Sequence, residues 1–227
     1  MKKLINRNGW WLMLVTAVAG LSTFFLILVD NYLDGDGLIK WDTLINQWVE
    51  TVRTPLMNKI VELITLTANW QIIFWGLVLG IILLGLAKKW RYAWAMLISV
   101  STGILFTELT KMFIARPRPP VENAIIVEKG MAFPSAHSYF AIVFYGLITY
   151  FWVKHFRSKW MKIMVGILGA GLCLLIGISR IYLGVHWTTD VLAGFASSLA
   201  WLFLTILYLE YKNKYFDSRP KLRSQYR

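Results

Sequence analysis

The sequence contains six long apolar stretches, and these constrain its fold more than any other feature. A helix that crosses about 30 Å of hydrocarbon needs about 20 mostly apolar residues. The six stretches cover Trp10–Val29, Trp70–Ala87, Tyr92–Thr110, His137–Val153, Ile163–Ile178 and Val191–Leu209. Because a segment in lipid must satisfy its own backbone hydrogen bonds, we interpret each stretch as a transmembrane helix, with the fourth and fifth extending into their flanks. The sequence therefore predicts an all-α, polytopic membrane protein with six transmembrane helices in one bundle, forming a single domain over residues 1–227.

The positive charges lie mainly in short segments between the apolar stretches. The chain has 24 Lys and Arg residues against 12 Asp and Glu residues, a net charge of +12. When six spans are threaded from the N-terminus, sixteen of the basic residues fall on the side that holds both termini. Since short loops rich in Lys and Arg stay in the cytoplasm, we expect a cytoplasmic-membrane protein with both termini inside. This distribution explains the charge without nucleic-acid binding, and the sequence indicates no obligate protein partner.

The N-terminal segment begins like a secretory signal peptide, with Lys2, Lys3 and Arg7 before an apolar run. The run continues to Val29, which is too long for a signal peptide, so we expect an uncleaved first span. At the other end, the basic tail from Lys212 to Arg227 is expected to lie against anionic lipid of the inner leaflet.

The first outer loop, residues 38–68, shows helical periodicity of its own. Apolar residues recur at helical spacing before Pro55 breaks the pattern: Trp41, Leu44, Ile45, Trp48 and Val52. This pattern predicts an amphipathic helix on the outer surface, followed by a second helix over Leu56–Leu66 that dips partway into the membrane. Packing over the bundle and a role in lipid entry are both compatible with such an interfacial helical region.

Ionisable and hydroxyl residues gather at the ends of the spans that this threading brings to the outer face. The candidates are Lys111, Arg118, Ser135, His137, Arg180, His186 and Asp190. Ionisable groups near the membrane are costly, so a shared functional site is the first hypothesis for such a cluster. Taken separately, Lys111, Arg116 and Arg118 also suit membrane-surface anchors, and His186 and Asp190 suit a local hydrogen bond on one helical face.

The chemistry of this set points to an anionic substrate. The cations outnumber nearby carboxylates, Arg side chains match phosphate oxygens, and the N-terminus of the fourth span adds free backbone N–H groups. Asp190, one turn after His186, can fix the tautomer of that ring and leave its other nitrogen as a nucleophile, while His137 can act as general acid. Because side chains supply both charge and nucleophile, we expect no metal and no cofactor, and the single cysteine, Cys173, excludes an intrachain disulfide.

Three segments resemble the signature motifs of the type 2 phosphatidic acid phosphatase superfamily. They read KMFIARPRP over Lys111–Pro119, PSAH over Pro134–His137, and SRIYLGVHWTTD over Ser179–Asp190. The family pattern is K-x6-RP, PSGH and SR-x5-H-x3-D, so spacing and order both match. The one departure is Ala136 where the family usually has glycine, and a methyl group is tolerated there only if the backbone φ is negative or space allows.

The resemblance implies roles for residues at the matching positions. It implies phosphate binding by Lys111, Arg118, Ser135, Ala136 and Arg180. It also implies His186 as nucleophile, Asp190 as its partner and His137 as general acid.

The resemblance further implies a membrane phosphatase that acts on a lipid phosphate at the outer face. The first expected substrate is phosphatidylglycerophosphate, and undecaprenyl pyrophosphate is the alternative. A non-catalytic protein that binds or transports lipid phosphates would explain the cations but not the two histidines. Haloperoxidases share the motif, but those relatives are soluble.

Overall fold

The described part of the chain is helical and contains no strand. The computed structural model describes residues 2–34 and 38–217. Its helices are α1 (Lys2–Leu33), α2 (Leu38–Thr51), α3 (Pro55–Leu66), α4 (Trp70–Leu86), α5 (Trp90–Ile114), α6 (Ala136–His155), α7 (Lys159–Tyr182) and α8 (Thr188–Asp217), with one 3-10 turn at Val121–Asn123. The prediction of an all-α membrane protein is confirmed.

The membrane spans follow the predicted stretches, with one difference. The five helices α1, α5, α6, α7 and α8 are each long and apolar enough to cross a membrane. The sixth candidate span is a bent pair, because α3 and α4 meet this criterion only together and form an angle of 41°. Thr54 caps α3 by accepting a hydrogen bond from the Met57 N–H at 3.3 Å, and Pro55 occupies its first position. These residues are typical of a helix start, so α3 begins as a helix separate from α2.

The packing of α6 against its neighbours fixes the position of its first turn. Its middle turn, Ala141–Tyr145, is π-helical. The Cys173 thiol on α7 donates a hydrogen bond to the Ala141 carbonyl oxygen at 3.1 Å. The largest buried cluster surrounds this helix and includes Met96, Val100, Tyr139, Val143, Leu147 and Ile176. Because these side chains come from α5, α6 and α7, the first turn of α6 is held between its neighbours.

The helix predicted within residues 38–68 is present as α2, and it packs over the bundle. Its inward face carries Asp42 and Val49, both buried, whereas Trp41, Leu44 and Trp48 are exposed on the outward face. The helix packs against α7 and α8. The amphipathic pattern is therefore unusual, since a carboxylate faces the protein and apolar side chains face outward.

Two glycines and one left-handed residue bring the helix ends together. Ala115 ends α5 with φ 48°, which redirects the chain after the span. Gly184 has φ +73°, and a Cβ atom there would lie 2.7 Å from the Asn123 carbonyl oxygen, so only glycine fits. A Cβ atom at Gly194 would lie 2.8 Å from the Ser135 carbonyl oxygen. This close approach allows α8 to lie directly against the start of α6.

The two charged ends of the chain are described only in part. The side chains of residues 2–10 and 214–217 and the whole of 218–227 fall outside the described residues. The lipid contact expected of the basic tail therefore stays a prediction.

Candidate active site

The ends of α5, α6, α7 and α8 meet at one end of the bundle, and His186 lies between them. The His186 side chain is 2% exposed. Arg118 Nη1 lies 3.1 Å from Nε2 of this ring, and Asp190 Oδ2 lies 3.2 Å from Nδ1. Because a guanidinium can only donate, Nε2 must be the acceptor and Nδ1 must carry the proton. The Nε2 lone pair of His186 therefore points toward the cations.

The surroundings of His186 favour its neutral form. Burial lowers the pKa of this ring well below its ordinary value, and the positive charges of Arg180 and Arg118 lower it further. A neutral imidazole whose Nε2 carries a lone pair and no proton is the state that a nucleophile requires.

The Asp190 carboxylate, which is fully buried, is held by three donors. Oδ2 accepts from the Trp187 N–H at 2.9 Å as well as from His186. Oδ1 accepts from Arg116 Nη1 at 2.7 Å, and Arg116 Nη2 donates to Asp42 Oδ2 at 2.6 Å. The Thr189 backbone N–H donates to Asp42 Oδ1 at 2.9 Å. Asp42, Arg116 and Asp190 thus form a buried ion network, here called the carboxylate network, that fixes the orientation of His186.

The position of Arg116 corrects one of the interpretations from sequence. Its guanidinium carbon lies 5.0 Å from the centre of the Tyr32 ring and 5.6 Å from that of Trp187, and the residue is buried. A membrane-surface anchor would extend toward the lipid headgroups. The anchor interpretation is therefore wrong for Arg116, which is enclosed by aromatic rings and paired with two carboxylates.

Arg118 is fixed by backbone carbonyl groups in addition to His186. Nε donates to the Gly130 oxygen at 3.0 Å, Nη2 to the Lys129 oxygen at 3.2 Å, and Nη1 to the Val185 oxygen at 2.8 Å. These bonds tie the loop before α6 to the turn between α7 and α8. Burial lowers the pKa of Arg118, but a guanidinium remains charged in proteins.

Arg180 is completely buried, and a carboxylate lies against its charge. Nη1 donates to Thr65 Oγ1 at 2.7 Å, and Nη2 makes a short ion pair with Glu128. The second Glu128 oxygen lies 3.6 Å from Arg118 Nη2. Arg118, Arg180 and Glu128 form a second group of charges next to His186, here called the cation pair and its glutamate.

His137 and Lys111 are paired with residues outside this group. Nε2 of His137 is 3.0 Å from Asn69 Oδ1, and Asn69 lies at the break between α3 and α4. Lys111 pairs with Glu108 at 3.0 Å and touches none of the other candidates through a hydrogen bond within the described residues. Its positive charge still reaches the site, because it contributes to the lowered pKa of His186.

The first turn of α6 holds the remaining two candidates. Ser135 is the N-cap: its Oγ accepts from the Ser138 N–H at 3.5 Å and from the Ser138 hydroxyl at 3.0 Å. The Ser135 N–H donates to the Asp190 carbonyl oxygen at 3.0 Å, which links α6 to α8. Ala136 is the first helical residue and does not adopt a left-handed backbone. Its methyl group in place of the usual hydrogen therefore brings no backbone strain.

Sequence reasoning missed several residues that complete this arrangement. They are Asp42, Thr65, Asn69, Arg116 and Glu128. One of them left a signal, since Asp42 lies on the same helical face of α2 as Ile45 and Val49, three and seven residues later. A carboxylate on an apolar face indicates a buried partner.

The sequence matches known proteins over most of its length. The sequence model of the PAP2 superfamily matches residues 88–214, a range that includes all eight candidate site residues. The chain is 36% identical over 187 residues to phosphatidylglycerophosphatase B of Bacillus subtilis (strain 168), and this alignment covers 81% of the chain and 90% of that protein. It is 35% identical over 104 residues to undecaprenyl-diphosphatase of Sulfolobus acidocaldarius, covering 44% of this chain and 46% of that protein.

Two solved structures share the architecture. A transmembrane PAP2-type phosphatidylglycerolphosphate phosphatase from Bacillus subtilis superposes with a TM-score of 0.78 at 33% identity, covering 86% of this chain and 96% of that one. LpxE of Aquifex aeolicus superposes with a TM-score of 0.52 at 22% identity, covering 76% and 94%, and this likeness shows the fold alone.

Proposed function

This chain belongs to the PAP2 superfamily, and on that premise we propose that it hydrolyses a lipid phosphate at the membrane surface through a phosphohistidine intermediate. The favoured reaction converts phosphatidylglycerophosphate to phosphatidylglycerol. The similarity to phosphatidylglycerophosphatase B over most of both chains supports a phosphatase of this type.

One observation supports the chemical part of the proposal most directly. The Nε2 atom of His186 lies 3.1 Å from Arg118, and Nδ1 of the same ring is held by Asp190. A nucleophile is thus oriented toward cations that suit an anion, which is the arrangement that phosphoryl transfer requires.

The first chemical step forms the intermediate. Nε2 of His186 attacks phosphorus, the bond from phosphorus to the lipid oxygen breaks, and protonated His137 gives its proton to that departing oxygen. Arg118 and Arg180 stabilise the charge that develops on the other phosphate oxygens, with Lys111 adding a more distant positive charge. The start of α6, where Ser135 and Ala136 lie, favours negative charge through its backbone N–H groups, although the Ser135 N–H itself is bonded to the Asp190 carbonyl oxygen.

The second step returns the enzyme to its starting state. His137, now neutral, takes a proton from a water molecule, whose oxygen attacks phosphorus. The bond from phosphorus to Nε2 breaks, and inorganic phosphate leaves. The Asp190 carboxylate stabilises the His186 ring while it carries the phosphoryl group.

A phosphate-release assay tests this function. Full-length protein in detergent is expected to release phosphate from phosphatidylglycerophosphate with EDTA present. Phosphatidic acid and undecaprenyl pyrophosphate serve as competing substrates in parallel reactions. Complete loss of activity on chelation would contradict the metal-free mechanism, and binding of lipid without phosphate release in a single turnover would favour a non-catalytic protein.

A second candidate substrate is undecaprenyl pyrophosphate. The match to undecaprenyl-diphosphatase favours it, although that match covers less than half of each chain. A higher kcat/KM for undecaprenyl pyrophosphate than for phosphatidylglycerophosphate would establish this alternative over the favoured one.

We also propose that the site opens on the extracytoplasmic side, with both termini in the cytoplasm. The charge distribution supports this orientation. A test uses Glu122→Cys near the site and Lys159→Cys at the opposite end of the bundle, both exposed. Cys173 is buried and gives a low background. In intact cells a membrane-impermeant maleimide is expected to label position 122 and spare position 159, and the reverse pattern would overturn the orientation.

A further inference from the structure

Glu128 lies where the proposed function needs a phosphate group. Its two carboxylate oxygens face different arginines, one in a short ion pair with Arg180 and the other 3.6 Å from Arg118. The Glu128 side chain is 27% exposed, whereas that of Arg180 is fully buried. The carboxylate therefore stands at the accessible side of the cation pair, between the arginines and the solvent.

The carboxylate is ionised in this position. Burial raises the pKa of Glu128, but the charge and hydrogen bond of Arg180, together with His137 and Arg118, outweigh burial and lower it. The net result is an anion on cations that are proposed to bind another anion.

Arg180 depends on this carboxylate for charge compensation. Its other hydrogen bond within the described residues goes to the neutral Thr65 hydroxyl, and its buried Nε has no partner there. A buried guanidinium without a carboxylate is strongly unfavourable. When no phosphate is bound, Glu128 is thus the group that compensates the charge of Arg180.

Glu128 can leave without disturbing the arginines. The backbone on either side of Gly130 is fixed to Arg118 through the Lys129 and Gly130 carbonyl oxygens. The neighbouring side chains at Val127 and Lys129 are exposed, so there is space at the surface. Rotation about the side-chain bonds of Glu128 is sufficient to free both arginines while the loop stays in place.

We infer that Glu128 is a resident anion that occupies the phosphate site between turnovers and competes with inorganic phosphate for it. This inference rests on the proposed function. Substrate phosphate displaces the carboxylate on entry, and the carboxylate returns when the product leaves. Like charges close together repel strongly, so Glu128 weakens the binding of free phosphate and speeds its release. The residue acts through Arg118 and Arg180 and takes no part in bond making.

The test measures phosphate binding and turnover in Glu128→Gln. Glutamine keeps the size of the side chain and removes its charge. We expect inorganic phosphate to inhibit this variant at a concentration at least about tenfold lower than the wild type. Both kcat and KM for the lipid are expected to fall, since substrate binds more easily and product leaves more slowly. Glu122→Gln, an exposed glutamate in the same loop, is the matched control and should behave as the wild type.

Other outcomes distinguish this inference from the function on which it rests. Calorimetric titration with inorganic phosphate compares wild type and Glu128→Gln even if no lipid is hydrolysed. A folded Glu128→Gln protein that binds phosphate no more tightly than the wild type would overturn the inference and leave the phosphatase assignment intact. If that variant does not fold, Glu128→Asp replaces it: the shorter carboxylate cannot reach both arginines, so phosphate should again bind more tightly, and unchanged or weaker binding would count against a competing anion.

Discussion

The two histidines of the candidate active site are held in different ways. His186 belongs to the carboxylate network, in which Asp190, Arg116 and Asp42 are buried and every carboxylate oxygen accepts a hydrogen bond. Among the residues that the structure describes, His137 has one hydrogen-bond partner, the neutral Asn69, and it lies near Glu128, which is partly open to solvent. The proposed nucleophile, His186, is therefore fixed in orientation before substrate arrives, whereas the proposed general acid, His137, remains adjustable.

This difference has a chemical reason. A nucleophile gains from a fixed geometry, because the entropy cost of orienting it is met during folding and does not add to the reaction barrier. A group that must give a proton in one step and take one in the next gains nothing from a strong ionic partner. The comparison predicts that changes on the His186 side cost more than changes on the His137 side.

The largest effect is expected from His186→Ala. Within the described part of the chain, no other proposed nucleophile lies beside the cation pair, so turnover should fall by at least about 10⁴-fold. A phosphate-release assay under single-turnover conditions measures this loss. His155→Ala is the matched control, because His155 is exposed at the opposite end of α6 and should be dispensable. An active His186→Ala enzyme would contradict the proposal that His186 is the nucleophile.

Asp190→Asn is expected to lower kcat by roughly 10²–10⁴-fold. The amide leaves the shape intact but no longer stabilises a positively charged ring or fixes its tautomer. The KM for the lipid should change little, because the hydrogen bonds of the Asp190 side chain go to His186, Trp187 and Arg116 and to none of the proposed phosphate ligands. A large rise in KM with unchanged kcat would mean that Asp190 contributes to binding instead.

Arg116→Met tests the carboxylate network through stability. Two buried carboxylates lose their common cation, which is expected to lower the free energy of unfolding by about 3–5 kcal/mol. Denaturation of the detergent-solubilised protein, followed by tryptophan fluorescence, measures the change. Arg157→Met, on an exposed side chain in the turn between α6 and α7, is the comparison variant and should cost much less. Equal losses in the two variants would contradict the network.

Asn69→Ala should have a smaller effect than any change on the His186 side. It removes one neutral hydrogen bond to His137, worth roughly 1 kcal/mol, and should reduce kcat by about tenfold or less. Helix α4 should be unaffected, since the Asn69 side chain does not cap it. Asn69→Asp keeps an acceptor oxygen and is expected to recover part of the rate. A loss as large as that of Asp190→Asn would show that both histidines are held with equal strength.

The pH dependence of kcat/KM is the smallest expected effect, and it reports specifically on the protonation of His186. His186 must be neutral to attack, and its pKa is lowered by burial and by the neighbouring arginines. Protonation therefore stops the reaction only at a pH below the ordinary value of about 6.5. The acidic limb of kcat/KM should lie below that value. An acidic midpoint at or above it would contradict a neutral, preorganised His186.

The sequence predicted the fold and the family because both depend on local patterns. Apolar stretches of sufficient length predict spans. The motifs around Arg118, His137 and His186 have the spacing of the family pattern, and the family that they predicted is confirmed by the match over residues 88–214. The bend between α3 and α4 was not predicted, because a short interruption in an apolar region does not specify an angle.

The supporting residues were harder to predict because their contacts join distant segments. Arg116 and Asp42 are separated by 74 positions, and no periodicity connects them. Arg116 was interpreted as a membrane-surface anchor because its neighbours in sequence are basic. In the structure it is buried between two aromatic rings and is part of the carboxylate network. Glu128 belongs to no recognisable pattern, and its importance follows only from the positions of two arginines on other segments.

The inverted polarity of α2 has a consequence for how this protein must be handled. Asp42 reaches Arg116 from the inward face, while Trp41, Leu44 and Trp48 face outward and need apolar surroundings. We therefore expect the lipid or detergent around these three side chains to help to hold α2, and with it Asp42, against the bundle. Detergents that cover the transmembrane helices but leave Trp41, Leu44 and Trp48 in water are expected to lower turnover without loss of helicity. Transfer of the protein into nanodiscs should restore turnover.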